Sequence, residues 1–466
     1  MTVELNVSLL VIGWGKGGKT LARKLGLAGK SVAVVERDPE MIGGTCINIA
    51  CVPTKALVHD AEQVRSDDDG AAAWQRAVAR RNTLTGAMRT KNAEMIETVP
   101  TATVILGEAR FTGPHEVRVT TSDGEVAITA ETIIVNTGSI PVLPPIPGAR
   151  WGGRIHNSTT IQQLTERPDR LAVVGAGPIG LEFASIFGQF GSEVTLLDRG
   201  QRILPNEDED VATAAVGALQ DAGVKLVNQV EITEITEITD GADGVEVAWR
   251  DGEGTHLEKF DAVLLATGRT AATVSLGLDA AGIDTDERGF IRVDEKLRTS
   301  VEGVFAVGDV NGGPQQTYIS LDDFRIVVGQ LAGEGKRSTA DRAAVPTVIY
   351  TTPPIARVGI NERQARELPG NIGVASKPVA AIAMMPRPKI EGDARGLVRF
   401  VVDLDTGQIL GATLMHHAAD EVINLVAMAM RHGIPASALH NAIYTHPSAT
   451  EALNEVLGEL RPLATR

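Results

Sequence analysis

Apolar residues in this chain come in short runs separated by stretches of helical period, so the pattern reads strand, helix, strand. Residues 7–12 form an apolar run of strand length. The run passes into Gly13-Trp14-Gly15-Lys16-Gly17-Gly18, after which Leu21 and Leu25 recur one helical turn apart. A second apolar run, residues 31–36, ends in Glu36. The same order returns further on. Residues 171–174 lead into Gly175-Ala176-Gly177-Pro178-Ile179-Gly180, then a helical stretch with Leu181, Phe183, Ala184 and Phe187, then a run from 193 to Asp198. From first glycine to closing acid is 23 residues in both copies, 13 to 36 and 175 to 198. Each copy also has a late apolar run that ends in Thr-Gly, at Thr137-Gly138 and at Thr267-Gly268. Strands alternating with helices predict parallel α/β units, and the shared offset predicts two of the same kind. No stretch reaches the roughly 18 apolar residues of a membrane-spanning helix.

The glycine spacing gives both units a chemistry. In strand, G-x-G-x-x-G, helix, strand, acid, the first glycine makes the tight turn and the second lets backbone approach a pyrophosphate. The third packs helix on strand, the phosphates sit at the positive helix N-terminus, and the acid accepts from a ribose hydroxyl. Gly13, Gly15, Gly18 and Glu36 fill these places in the first copy; Gly175, Gly177, Gly180 and Asp198 fill them in the second. A chain that holds two dinucleotides ordinarily passes hydride between a nicotinamide and a flavin. Asp198 repels a 2′-phosphate, which favours NADH; Arg199 beside it softens that preference, leaving NADPH as the alternative.

Composition narrows the reading. The chain has 466 residues, or about three domains at roughly 150 residues each. Its 59 acidic against 44 basic residues give a net charge of -15, the opposite of the basic footprint a nucleic-acid partner requires. The start of the chain lacks the basic flank and cleavage site of a signal peptide, and a soluble cytoplasmic protein is expected. Only two cysteines occur, Cys46 and Cys51, which excludes a disulfide scaffold, a Cys-rich zinc module and a four-thiolate cluster; no metal site is expected. They stand ten residues after Glu36, in Gly43-Gly44-Thr45-Cys46-Ile47-Asn48-Ile49-Ala50-Cys51-Val52-Pro53-Thr54-Lys55. Two inert buried thiols are one reading. A redox-active pair is the other, favoured by Lys55 nearby and by a helix expected to start near Cys46, both of which lower a thiol pKa.

Residues 43–55 resemble the G-G-T-C-x-N-x-G-C-x-P-[ST]-K segment of the class I flavoprotein disulfide reductases, the family of dihydrolipoamide dehydrogenase, glutathione reductase and mercuric reductase. The resemblance runs along essentially the whole chain. Residues 299–309, ending in Gly308-Asp309, are similar to the family's second flavin motif; Ala266-Thr267-Gly268-Arg269 is similar to its A-T-G-R turn; Tyr444-Thr445-His446-Pro447 with Glu451 resembles its H-P-x-x-x-E segment. The resemblance implies an α/β chain with two Rossmann-like domains, for FAD and NAD, and an α+β C-terminal dimerisation domain. In residue terms the order is 1–149 FAD-binding, 150–270 NAD(P)-binding, 271–344 central and 345–466 dimer interface, the last opened by Pro346 and Thr351-Thr352-Pro353-Pro354.

It implies one non-covalent FAD per subunit, an obligate homodimer in which His446 serves the other subunit's site, and no membrane or nucleic-acid partner. The flavin set is Gly13, Gly15, Gly18, Glu36, Gly44, Thr45, Lys55, Ala109, Thr137, Gly138, Gly308 and Asp309; the nicotinamide set is Gly175, Gly177, Gly180, Asp198 and Gly268. Lys55 and Glu182 are expected to pair near the flavin. Cys51 is expected to face it as the charge-transfer thiolate, Cys46 to attack substrate, and His446 to move the proton with Glu451 fixing its imidazole.

Departures point away from lipoamide. The first His of H-x-H-P is Tyr444, the L-A-H-K-A pattern is replaced by Gln316-Thr317-Tyr318-Ile319-Ser320, Pro178 stands where a large residue is common, and Ala50 replaces a glycine. The C-terminus lacks the cysteine pair of mercuric and high-molecular-weight thioredoxin reductases. Four stretches are instead similar to the bacterial reactive-chlorine-resistance flavoproteins, described as hypothiocyanous acid and copper(II) reductases. They are residues 16–22, 54–61 (with His59), 317–325 and 333–339. A reductase of a small sulfur or halogen oxidant is therefore expected, with dihydrolipoamide dehydrogenase and a non-catalytic redox sensor as the alternatives.

Overall fold

The computed structural model describes residues 3–65, 67–238 and 244–463, which fall into two compact units. The first unit comprises Met1–Ala56, Ala77–Val142 and Gly268–Arg342. At its centre the strand Val3–Ile12 pairs in parallel with Val32–Glu36 on one side and Gly124–Val135 on the other, in registers that set Ile12 beside Val35 and Val135. Ala102–Leu106 extends the sheet beyond Val32–Glu36, and Val304–Ala306 pairs with Gly124–Val135. Val32–Glu36 is buried on both faces, as a parallel strand covered by crossover elements must be, and this explains its unbroken apolar run. The crossover helix Lys16–Leu27 buries Gly18, Leu21, Ala22 and Leu25, the helical period read from the sequence. A hairpin of Glu108–Gly113 and Glu116–Thr121 continues the sheet antiparallel.

The second unit comprises Leu57–Arg76, Leu143–Thr267 and Ala343–Arg466. Its parallel sheet runs Val224–Val227, Glu193–Leu197, Arg170–Val174, Ala262–Leu265, Ile155–His156. This is the second copy of the repeat, with the helix Pro178–Gln189 after its glycine turn. Pro178 occupies the first turn of that helix, where a missing N–H costs nothing and a fixed φ is already helical. Trp74 packs here, tilted on Phe187 at 4.7 Å and edge-on to Phe190 at 5.3 Å. The C-terminal part is an antiparallel sheet built from Thr347–Ile349, Ile355–Gly359, Ile409–Met415, Leu397–Asp403, Ile372–Pro378 and Arg461–Pro462. The helix Ala419–Arg431 joins its core through Val422, Ile423 and Val426. Among the described residues no helix is long and apolar enough to cross a membrane.

Candidate active site

The first glycine turn is shaped by one side chain from the late strand. Gly13 has φ +92°, and a Cβ there would lie 2.6 Å from the Asn136 carbonyl oxygen. A Cβ on Gly15 would lie 2.4 Å from Asn136 Oδ1, and one on Gly18 would lie 2.6 Å from Val11 Cγ1. Gly18 thus packs helix on strand as expected, while Gly15 is required by Asn136 before any ligand is considered. Asn136 Oδ1 accepts the Gly18 N–H at 2.8 Å, and its Nδ2 donates to the Val307 carbonyl at 2.6 Å. The acid closing the turn is also engaged: Glu36 accepts the N–H groups of Trp14 (3.1 Å) and Arg37 (2.9 Å). Burial pushes the Glu36 carboxyl up, and these backbone donors work against that.

The second turn repeats the geometry with one difference. Gly175 has φ +101° and would meet the Ala266 carbonyl at 2.8 Å, and Gly180 would meet Gly175 O at 1.9 Å. Asp198 Oδ1 accepts the Ala176 N–H at 2.9 Å and Oδ2 the Gly200 N–H at 2.8 Å. A Cβ on Gly177, however, would have no neighbour within 4 Å. The helix N-terminus therefore faces open space there, as a pyrophosphate cradle requires. Gly268, with φ +124°, likewise faces open space.

The remaining flavin-set residues gather in the first unit. Gly44 has φ +80°, and a Cβ there would lie 2.8 Å from the Trp14 carbonyl, so the glycine pair before Cys46 is pressed against the first glycine turn. Thr45 begins the short turn that carries Cys46, and Gly138, with φ +76°, has Thr45 Oγ1 as its nearest neighbour at 3.9 Å from a built Cβ. Asp309 accepts from Ser139 Oγ at 2.9 Å; burial pushes its carboxyl up, against the pull of Ser139 and of Arg269. Gly308 (φ +74°) donates its N–H to Asp323 Oδ2 at 2.6 Å. Ala109 is buried in Glu108–Gly113. Buried polar atoms here without a protein partner include Trp14 Nε1, Thr137 Oγ1 and Gln316 Oε1. Orphaned groups of this kind call for a polar ligand, so the residues fit a dinucleotide with further hydrogen-bonding groups.

Cys46 sits in the four-residue helical turn Thr45–Asn48, and Cys51 starts the eleven-residue helix Cys51–Ala61. The helical segment expected near Cys46 is thus present as a single turn, which Asn48 Nδ2 ties back to the carbonyls of Ile42 (2.8 Å) and Gly44 (3.1 Å). The longer helix points its positive end at Cys51 instead. Both thiols are free and half-buried. Cys46 S–H donates to Cys51, which lowers the Cys51 thiol to about 6; the Thr317 hydroxyl and the Lys55 charge act in the same direction, against burial. The same bond, with burial, drives Cys46 up. The pair is thus polarised, with the negative charge on Cys51.

Thr317 falls within the stretch 317–325 that resembles the reactive-chlorine-resistance flavoproteins, but the sequence assigns it no role. It lies 266 positions from Cys51, yet its Oγ1 is 3.4 Å from Cys51 Sγ, at the start of the helix Thr317–Ala332. Tyr318 follows, half-exposed, its phenol pushed up by burial and by the charge at Cys51.

In the second unit, His446 Nδ1 is 2.8 Å from Glu451 Oε1, and Glu451 Oε2 accepts the Ser448 N–H at 2.8 Å. The imidazole is 70% exposed and the carboxylate 11%. A buried acid anchors the ring by one nitrogen and turns the other outward. Tyr444 spends its hydroxyl on the Leu439 carbonyl at 2.9 Å, a structural use. Glu182 is buried and accepts the Tyr350 N–H at 3.0 Å, and His59 is exposed.

The family model described as pyridine nucleotide-disulphide oxidoreductase matches residues 7–323, and the dimerisation domain of the same family matches 345–457. The chain is 44% identical over 447 residues to a probable pyridine nucleotide-disulfide oxidoreductase, RclA, of Escherichia coli, covering 96% of this chain and 98% of that one. A solved structure of the HOCl-induced flavoprotein disulfide reductase RclA from Escherichia coli superposes with a TM-score of 0.90 at 43% identity, covering 97% of this chain and 99% of that one. A Cu(II) complex of the same protein gives 0.91 over the same shares, also at 43% identity. Dihydrolipoyl dehydrogenase of Thermus scotoductus is 33% identical over 476 residues, 98% of each chain.

Proposed function

Because this chain belongs to the pyridine nucleotide-disulphide oxidoreductases and shares the mixed α/β fold of their flavoprotein disulfide reductases, we propose that it reduces a small sulfur- or halogen-centred oxidant, hypothiocyanous acid first, with NADH as electron donor. The observation that carries this reading is the pair of free thiols Cys46 and Cys51 beside Thr317, whose Oγ1 lies 3.4 Å from Cys51 Sγ, with hydrogen bonding from Cys46 and Thr317 and the Lys55 charge lowering Cys51. Bound FAD, which the family implies together with NAD(P)H, supplies the relay of two electrons from reduced nicotinamide to the Cys46–Cys51 disulfide. Gly13, Gly15, Gly18, Glu36, Gly44, Thr45, Lys55, Ala109, Thr137, Gly138, Gly308 and Asp309 would hold it. Gly175, Gly177, Gly180, Asp198 and Gly268 would hold the nicotinamide dinucleotide. Both sets follow the family motifs, as do the pairing of Lys55 with Glu182 and the division at 149, 270 and 344.

The residues then divide the work. Cys46, once deprotonated, attacks the sulfur of hypothiocyanous acid, forming an S–S bond and releasing the hydroxyl as water with a proton returned by an imidazole. Cys51 attacks the Cys46 sulfur, displaces thiocyanate and closes the disulfide. Two thiols are oxidised and one oxidant is reduced by two electrons. His446 carries the proton, and Glu451 holds its Nδ1 so that Nε2 is the working atom. The His446–Glu451 pair also weighs against a sensor that never turns over. An exposed imidazole held by a buried acid suits a residue that completes a partner subunit's site, and the dimerisation domain supports a homodimer.

Anaerobic NADH titration tests the dithiol: two-electron reduction gives a long-wavelength charge-transfer band that disappears in Cys51→Ser. Steady-state NADH oxidation with hypothiocyanous acid, lipoamide, oxidised glutathione and Cu(II) ranks the substrates, and turnover of lipoamide equal to that of hypothiocyanous acid overturns the choice.

A further inference from the structure

Lys19 is a buried cation that the reaction above leaves unused. It lies on the inner face of the helix Lys16–Leu27, only 4% exposed. Its ammonium donates to the Gly43 carbonyl at 2.8 Å and to Asn92 Oδ1 at 2.5 Å. Both partners are neutral, and among the described residues no carboxylate forms an ion pair with it. A buried ammonium without a counter-charge is costly, and burial brings Lys19 down to about 8, helped by Lys16 on the same helix. The one group that pulls it back up is Cys46, and the attraction is mutual. The long helix Gly70–Glu97 contributes the uncharged Asn92.

The place of contact matters as much as the charge. Gly43, with φ +101°, and Gly44, with φ +80°, form the backbone kink that leads directly into Thr45 and Cys46. Lys19 grips the first of these two glycines. The cation therefore fixes the segment that carries Cys46 and adds positive potential at its sulfur.

We propose that Lys19 is a positioning residue of the dithiol, holding the Gly43–Gly44 kink and supplying the positive charge that lets Cys46 become the attacking thiolate. The inference rests on the dithiol reading above. It assigns to Lys19 the task opposite to that of Lys55, which favours negative charge on Cys51, while the Thr317 hydroxyl favours the thiolate on either sulfur. Attack on substrate needs the charge on Cys46, and Lys19 lowers the cost of moving it there.

The test uses the FAD-loaded enzyme reduced anaerobically with one equivalent of NADH, with iodoacetamide as the thiol probe and mass spectrometry to locate the label. In Lys19→Met, which keeps the bulk without the charge, labelling of Cys46 near pH 7 is expected to slow about tenfold, as for a thiol pKa raised by one unit. Its pH profile shifts upward, while the charge-transfer band persists or grows as charge stays on Cys51. Asn92→Ala keeps the ammonium and its Gly43 contact and is expected to change labelling less than twofold. An unchanged rate in Lys19→Met overturns the proposal. So does a slowed rate accompanied by loss of flavin or of the band, or a loss in Asn92→Ala as large as in Lys19→Met, since either marks a purely structural role. Absence of the band in the unmodified enzyme instead overturns the dithiol reading itself.

Discussion

Removing the Thr317 hydroxyl isolates one term of the thiolate's stability. Thr317→Ala deletes the Oγ1 that sits 3.4 Å from Cys51 Sγ and leaves Cys46, Lys55 and the helix start of Cys51–Ala61 in place. A hydrogen bond to a charged acceptor contributes about 1.5–3 kcal/mol, and an O–H···S contact of this length belongs at or just below the lower end. Taking about 1.4 kcal/mol, the Cys51 pKa rises by about one unit, from about 6 toward about 7. The sign follows from the bond's preference: it favours the thiolate, so its loss moves the titration to higher pH. At pH 7 the thiolate fraction falls from about nine-tenths to about half. The assay is a pH titration of the charge-transfer absorbance in anaerobic, NADH-reduced enzyme. Thr317→Ser, which keeps the hydroxyl, is expected to restore most of the shift. An unshifted midpoint in Thr317→Ala with flavin fully retained would refute the assignment, leaving the Cys46 bond and Lys55 to account for the lowered thiol.

Glu451→Gln removes the carboxylate from His446 Nδ1 and is expected to slow oxidant-dependent turnover by about 10²-fold while leaving anaerobic reduction by NADH unchanged, which stopped-flow half-reactions separate. Asp198→Asn is expected to lower the ratio of kcat/KM for NADH over NADPH about tenfold, because the repulsion of a 2′-phosphate is lost; a raised KM for both coenzymes is expected as the Gly200 N–H loses an anionic acceptor. Buried His416 is held neutral, its pKa brought down to about 4 by burial, whereas the unfolded chain takes up that proton near 6.5. Stability from this residue is therefore complete above pH 6.5 and is lost as pH falls toward 4, by roughly 3 kcal/mol in all, so His416→Gln is expected to flatten the acid limb of a urea-unfolding curve in that window.

What was legible in the sequence is what chemistry forces onto one residue type. Gly13, Gly44 and Gly175 need positive φ and stand against backbone carbonyls, so no other side chain fits. Cys46 and Cys51 are the only thiols, and His446 with Glu451 are five positions apart, near enough for local geometry to join them. The residues that tune the site come from far along the chain and carry no such mark. Asn136 reaches back 118 positions to Gly18 and forward 171 to Val307. Arg89, on the long helix, holds Asn48 Oδ1 at 3.0 Å and so braces the turn under Cys46. An asparagine, a threonine or a lysine is acceptable at many positions; its role exists only once the fold has chosen its neighbours. The helical segment expected near Cys46 is present as the four-residue turn Thr45–Asn48, but the side-chain bonds by which Asn48 ties it to the carbonyls of Ile42 and Gly44 are not registered by periodicity.

The two glycine turns also show that the shared 23-residue offset has a cause besides ribose recognition. In both copies the closing acid accepts the N–H of the residue after the first glycine, Glu36 from Trp14 and Asp198 from Ala176. The acid must reach across to its own turn whatever dinucleotide is bound, so the offset identifies the turn and says little about which coenzyme it takes. The distinction lies in what faces the second glycine. Asn136 crowds Gly15, whereas Gly177 opens onto free space. Asp198 spends one lone pair of each oxygen on Ala176 and Gly200 and keeps the others for a ribose hydroxyl. A carboxylate already committed to two backbone donors is fixed in direction, so beside exposed Arg199 its geometry adds to its charge in discriminating between the coenzymes. Replacing Asp198 should therefore disturb binding of both coenzymes before it reverses the preference between them.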